Sequence, residues 1–359
     1  MTTTMHIGLS MECDYRYGLS QSEAFDEAFF TAKLAEEQGF TGVWLAERHF
    51  ATPERTAGVP SIVSAPLILA TAIAGQTTHL RIGIGVLILP LGHPVRMAEE
   101  VATLDNISHG RLDLGVGRSG FTRVYEGYDV PYDESRQRFL EYLNVMKLAW
   151  SQEQFSYEGD VYSFNEVCVI PKTFQKPYPP LWSAATTRES FPLYGEMGLN
   201  ILVGLRGMTV PVLAEAIKDY RQAWADAGHP GTGQVILRIP IYVADTKEKA
   251  LAEPQESSMH AYARLQRAFT GTIGKEGTTA GEERAERSES LSAITYDDLL
   301  RDRFAFGEPD AVTSRLQQLR DDLQLEGFIM ESNVGGKIDH ILVHKSIMMF
   351  ANDVVPNLH

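Results

Sequence analysis

Arg118 closes Gly110-Arg111-Leu112-Asp113-Leu114-Gly115-Val116-Gly117, an apolar run punctuated by glycines. A strand end without side chains lets a flat ligand lie against the backbone, and a guanidinium beside it can grip that ligand's phosphate. Thr187 and Ser190 lie where the apolar run Leu181–Ala185 gives way to a helix. Hydroxyls and free N–H groups at a helix start suit an anion. Arg136, near the start of another helix, supplies a second guanidinium. Taken singly, each hydroxyl also fits a plain helix cap, and each arginine a solvated surface position. A second cluster is Ala46-Glu47-Arg48-His49-Phe50, which places an acid, a cation and a titrating base side by side. The competing reading of that triplet is a local ion pair beside a core histidine. His93 precedes a proline and reads as loop packing ahead of a helix. Phe121, Tyr125, Tyr128 and Phe304 can line an apolar pocket or pack in the core.

Such residues need a scaffold that brings strand ends together. Strand and helix signals alternate along the chain. Strands are expected at His6–Ser10, Gly42–Ala46, Leu80–Leu89, Leu112–Gly117, Pro180–Ala184, Asn200–Gly204, Val235–Ala244 and Gly327–Glu331. Helices are expected over Ser22–Gln38, Ile62–Ala74, Val95–Ile107, Glu134–Trp150, from Glu189, and over Val210–Ala227. The strands are short and continuously apolar, as in a parallel sheet covered by helices on its faces. This repetition predicts an α/β fold, a closed (β/α)8 TIM barrel forming one domain over residues 1–359. Two segments break the rhythm. Phe155–Phe164 alternates aromatic and polar residues around Gly159-Asp160 and predicts a β-hairpin insertion near 155–170. Gly271–Ser292 is polar, charged and glycine-rich, and reads as a mobile loop placed to act as a lid.

Composition narrows the function classes. Hydrophobic residues make up 44% of the 359, enough for a sizeable core. A formal charge of −15 disfavours nucleic acid, which requires a basic face. The two cysteines, Cys13 and Cys168, form neither a disulfide framework nor a zinc site. No signal-peptide pattern is present, and no apolar run approaches the roughly 20 residues of a membrane span, so a cytoplasmic protein is expected. Phosphate-loop, HExxH and GxSxG motifs are missing and no GxGxxG follows the first strand, which removes ordinary ATPase, nicotinamide-Rossmann, metalloprotease and serine-hydrolase readings.

Across nearly its whole length the chain resembles the bacterial luciferase-like family of flavin-dependent monooxygenases. The resemblance is carried by WLAERHF (44–50), RIGIGVLILPLGHPVRMAEEVATLDNISHGRLDLGVGR (81–118), YDESRQRF (132–139), PPLWSAATTRES (179–190) and GEPDAV (307–312). It implies a TIM barrel that binds reduced FMN and reacts it with O2 to give a peroxyflavin. Arg118 and Arg136 match the family's phosphate arginines, and Thr187 and Ser190 match its phosphate-binding hydroxyls. Gly85-Val86 falls where luciferases carry a non-prolyl cis peptide beneath the flavin, and Gly271–Ser292 falls at their mobile lid. There are two departures. Arg48 stands where luciferases have their catalytic histidine, leaving His49 at the second histidine of that motif. Gly117 stands where they have a reactive cysteine. Arg48 cannot act as a base, so it is expected to stabilise an anion, either on the flavin or on the substrate. His49 is expected to transfer protons, with Arg48 and Glu47 setting its charge environment.

The resemblance implies FMNH2 from a separate flavin reductase, O2, and hydroxylation of, or oxygen insertion into, a small organic substrate. Two alternatives stand beside it: a reduced deazaflavin used for hydride transfer, and a non-catalytic flavin-binding relative. A homodimer is also implied, and the all-round apolar helix at Ile62–Ala74 suits a subunit interface.

Overall fold

The computed structural model describes residues 5–13, 20–50, 61–270, 289 and 293–358. Apart from Glu289, the segment expected to form a lid lies outside the described residues.

The chain runs β1 (His6–Met11), α1 (Gln21–Glu37), β2 (Gly42–Leu45), α2 (Pro66–Ala74), β3 (Arg81–Ile88), α3 (Pro94–Ile107) and β4 (Leu112–Gly117). Next come α4 (Thr122–Gly127), α5 (Ser135–Ser151), the strands β5 (Phe155–Glu158) and β6 (Ser163–Val167), β7 (Leu181–Ala184) and α6 (Ser190–Glu196). Then follow β8 (Asn200–Val203), α7 (Val210–Asp226), β9 (Val235–Val243), α8 (Lys247–Ala252) and α9 (Gln255–Thr270). The last elements are α10 (Tyr296–Asp302), β10 (Ala305–Gly307), α11 (Pro309–Leu323), β11 (Gly327–Glu331) and α12 (His340–Met349).

Eight strands pair in parallel in the order β1-β2-β3-β4-β7-β8-β9-β11, and β11 returns to β1. The sheet therefore closes into the expected TIM barrel. β5 and β6 form the expected antiparallel hairpin, and the buried Glu141 carboxylate fixes its turn by accepting the N–H groups of Asp160, Val161 and Tyr162. β10 adds to β9 as a ninth strand. The helix expected from Ile62 instead starts at Pro66, with Ala65 at φ −128° and ψ 73°. Proline suits a first helical turn and pushes the residue before it out of the helical region.

The barrel has two apolar layers. One lies between strands and helices. The other fills the interior with Trp44, Trp182, Leu202, Ile236 and Ile329. The two indoles meet edge to face, centroids 5.5 Å apart, and a side chain at Gly83 would overlap the Trp44 ring. Next to the indoles sits a polar group formed by residues from β1, β3 and β4. Trp44 Nε1 donates to His6 Nε2 at 3.0 Å, and Arg81 forks onto Asp113 at 2.7 and 2.9 Å. Burial lowers the His6 pKa to about 4; Asp113 raises it and Arg81 lowers it further. The unfolded imidazole titrates near 6.5, so folding favours its neutral form. The resulting stability is complete above about pH 6.5 and is lost as pH falls towards about 4. The urea midpoint of the wild type is expected to fall across that window, whereas His6→Asn should show a flatter profile. Equal slopes for the two proteins would remove His6 as the cause.

Candidate active site

β3 and β4 build a closely packed floor in which glycines let one strand approach the other. The Gly85-Val86 peptide is cis, and the β3–β4 register shifts between Ile84 and Leu87. Val86 packs over the end of β4 so closely that a Cβ on Gly117 would lie 2.5 Å from Val86 Cγ2. Arg118 follows directly. Its Nη1 donates to Ser135 Oγ at 3.2 Å, and its guanidinium carbon lies 5.8 Å from the Tyr132 ring centroid. Arg136 pairs with Glu189 at 2.6 Å, which ties the start of α5 to the β7–α6 loop. In that loop Ser190 Oγ donates to the Thr187 carbonyl at 2.6 Å and accepts from Thr187 N at 3.3 Å. Ser190 is the first helical residue, and Glu189 is the cap position, without a side-chain bond. The plain capping reading of the two hydroxyls therefore does not hold. Burial raises the pKa of the Tyr194 phenol on α6, while Ser183, Arg118 and Arg136 act against it, so both guanidinium groups bear on this corner. The β4–β7 pairing and the Arg136–Glu189 ion pair put Arg118, Arg136, Thr187 and Ser190 on one side of the barrel.

The second group follows β2. Glu47 Oε1 lies 2.7 Å from His49 Nε2, with side chains 9% and 3% exposed. Glu47 Oε2 accepts the Ile88 N–H at 2.5 Å, which fixes the carboxylate against the end of β3. On the other side of the imidazole, Nδ1 lies 3.2 Å from the Tyr128 hydroxyl, and the two rings stand edge to face at 5.0 Å. An ionised Glu47 accepts only, so its partner Nε2 carries the proton and a neutral His49 receives the Tyr128 O–H at Nδ1. This arrangement can hold a proton and pass it along a short chain.

Arg48 does not join that group, contrary to the expectation that it helps set the charge around His49. Side chains alternate in direction along an extended segment, so Glu47 and His49 share a side and Arg48 takes the other. Its Nε and Nη2 donate to Glu12 at 3.2 and 3.4 Å. Glu12 also accepts from Arg238 at 2.5 Å, Arg238 pairs with Glu331 at 3.2 Å, and Glu331 pairs with Arg206. Burial disfavours the charge on Glu12, but Arg48 and Arg238 outweigh it and hold its carboxyl well below the usual range. Of the other residues singled out, Tyr125 and Phe304 are core residues, whereas Phe121 and Tyr128 reach solvent. His93 packs against Phe164 at the start of α3. Glu12, Arg206, Arg238 and Glu331 were not anticipated from the sequence. The signal was a charge in or beside an apolar strand, as in Val235-Ile236-Leu237-Arg238-Ile239.

A parallel barrel with a bare, arginine-flanked strand end and an acid–base pair at neighbouring strand ends defines an α/β-barrel enzyme class. Residues 5–324 match the luciferase-like monooxygenase family, and the chain belongs to it. It is 27% identical over 245 residues to the oxygenase component of flavin-dependent trigonelline monooxygenase from Acinetobacter baylyi, covering 67% of this chain and 65% of that one. It is 25% identical over 272 residues to FMNH2-dependent dimethylsulfone monooxygenase from Pseudomonas putida, covering 73% and 72%. The fold matches the oxygenating constituent of 3,6-diketocamphane monooxygenase from Pseudomonas putida, a structure in complex with FMN, with a TM-score of 0.81 at 19% identity and 99% of both chains covered. The matched region is thus about two thirds of the trigonelline enzyme's length. Among the described residues, no helix is long and apolar enough to cross a membrane.

Proposed function

We propose that the chain is the oxygenase half of a two-component flavin monooxygenase, a single domain that takes FMNH2 from a separate reductase. It would use O2 to hydroxylate, or insert oxygen into, a small organic substrate. The observation that carries this reading is the bare end of β4: Gly117 leaves no room for a side chain against Val86, and Arg118 follows immediately. These residues fit a flat, phosphate-bearing group. Arg118 and Arg136 would hold the phosphate, with Thr187 and Ser190 turning their hydroxyls to it. The Gly85-Val86 segment, whose valine packs over Gly117, would meet the ring. Reduced FMN, when bound, supplies the electrons that activate O2. His49 would be the proton-transfer residue, kept in one orientation by Glu47 and Tyr128. Family relatives that use FMNH2 and a structural neighbour in complex with FMN support the choice of cofactor.

A deazaflavin is the second reading. It is favoured by the likeness to a coenzyme F420-dependent tetrahydromethanopterin reductase from Methanopyrus kandleri, TM-score 0.73 at 16% identity. The oxygenase reading includes a homodimer, since Ile68 on the apolar helix α2 is 75% exposed.

The deciding experiment is an anaerobic titration with FMNH2, followed by stopped-flow mixing with oxygenated buffer. Tight binding and reoxidation much slower than that of free FMNH2 are expected. Binding of FMNH2 with unprotected reoxidation would sink the oxygenase assignment, and absence of FMNH2 binding would move the deazaflavin to first place.

A further inference from the structure

Across the barrel from the β4–β7 corner lies a set of charges that the flavin reading leaves without a role. In the strand order β1-β2-β3-β4-β7-β8-β9-β11, the pair β11–β1 stands opposite β4–β7. Glu331 ends β11 and Glu12 follows β1, so both carboxylates belong to that opposite side. Arg48 follows β2, Arg206 follows β8 and Arg238 lies on β9, and each is paired with one or both carboxylates.

Two features separate this network from a balanced structural ion pair. The first is its charge. Three guanidinium groups share two carboxylates, and a fourth, Arg303, donates to the Arg206 carbonyl at 2.6 Å. The second is its layering. The Glu12 and Glu331 side chains are only 11% and 7% exposed, whereas Arg48 and Arg206 are 33% and 37% exposed. The carboxylates lie beneath, and the Arg48 and Arg206 guanidinium groups face outward. A buried donor, Arg238 Nε, also remains without a partner among the described residues. The Tyr262 ring adds an aromatic wall 5.9 Å from the Arg303 guanidinium carbon. A partly buried excess of positive charge is stabilised by an added anion, and planar guanidinium forks match a carboxylate in geometry as well as in charge.

We propose that Arg48, Arg206 and Arg238 form the recognition site for a carboxylate group of the substrate, so that the chain acts on small organic acids. The proposal rests on the oxygenase reading for what happens to the acid after it binds, but not for the binding itself. The acid's carboxylate is held on the β11–β1 side, opposite the β4–β7 corner proposed for the flavin phosphate. This geometry directs the rest of the molecule across the mouth. The net charge of −15 conceals the site, because the positive charge is local.

Calorimetric titration of the full chain, with and without FMN, tests this with acetate, benzoate, hexanoate and decanoate against the matching amides. At least one acid is expected to bind ten-fold or more tightly than its amide, and Arg206→Gln should abolish that preference. Arg206→Lys should restore part of it, and the exposed Arg301→Gln, whose own partners are Asp298 and Asp302, should retain it fully. Equal binding of acid and amide, no binding by any acid, or a preference that survives Arg206→Gln overturns the proposal. Loss of the preference in Arg118→Gln but not in Arg206→Gln would place the anion in the phosphate corner, which also overturns it. Flavin fluorescence in the same samples reports FMN binding separately, so failure of the flavin reading is distinguishable from failure of this one. The acid–amide comparison in the wild type needs no variant to fold.

Discussion

His49→Ala is expected to lower the yield of oxygenated product per FMNH2 consumed by about 10²–10⁴-fold, the range typical of a lost general acid–base. Flavin binding should be unchanged, because the phosphate corner on the β4–β7 side shares no residue with the imidazole. The electrons not used should appear as hydrogen peroxide. Glu47→Gln should show part of the same loss: the amide can still meet the Ile88 N–H, but it is a weaker acceptor for the imidazole N–H that it keeps oriented. Tyr128→Phe should have the smallest effect of the three, since its hydroxyl is a longer contact on an exposed residue. Product and peroxide measured side by side at saturating FMNH2 decide the matter. A His49→Ala enzyme with wild-type coupling would remove the imidazole from the chemistry.

The largest effect on stability is expected from Glu12→Gln. Removing its charge leaves Arg48 and Arg238 confronting each other. Breaking a buried pair by removing one partner costs about 3–5 kcal/mol. Because the two arginines retain some contact with water, the lower end, about 3 kcal/mol, is expected here. The Glu12 carboxyl titrates below its unfolded value, so its contribution is present at neutral pH and is lost only as pH falls through the acid range. Denaturant melts at pH 7 should therefore separate wild type from variant, and the gap should close in acid. Adding Arg48→Gln to Glu12→Gln should recover part of the loss, since it removes the repulsion. A gap of a few tenths of a kcal/mol at pH 7 would mean that water already screens these charges.

The barrel was legible in the sequence because its strands advertise themselves. Gly42–Leu45, Arg81–Ile88 and Leu112–Gly117 are apolar runs bounded by turn residues and separated by helix-length segments. Among the late elements, β9 and β11 were legible in the same way, and the others were not. β10 is three residues long and pairs only with β9, and α8 to α11 follow or flank the polar stretch that interrupts the pattern. In the candidate site, Glu47 and His49 were legible as a pair because they are two positions apart on one extended segment. Tyr128 lies 79 residues from its partner His49, and no local pattern links them. The arginine network is the extreme case. Its members lie on or just after five different strands, and only the closed barrel brings them together.

Trp44 and Trp182 fill the barrel interior, and that packing governs traffic as well as stability. With indole rings packed across its centre, the barrel does not open along its axis there. If the proposed cofactor and substrate enter from the same end, whichever sits deeper must load first and leave last. A slow departure of the outer one then detains the inner one, and the turnover rate records the exit queue instead of the chemistry.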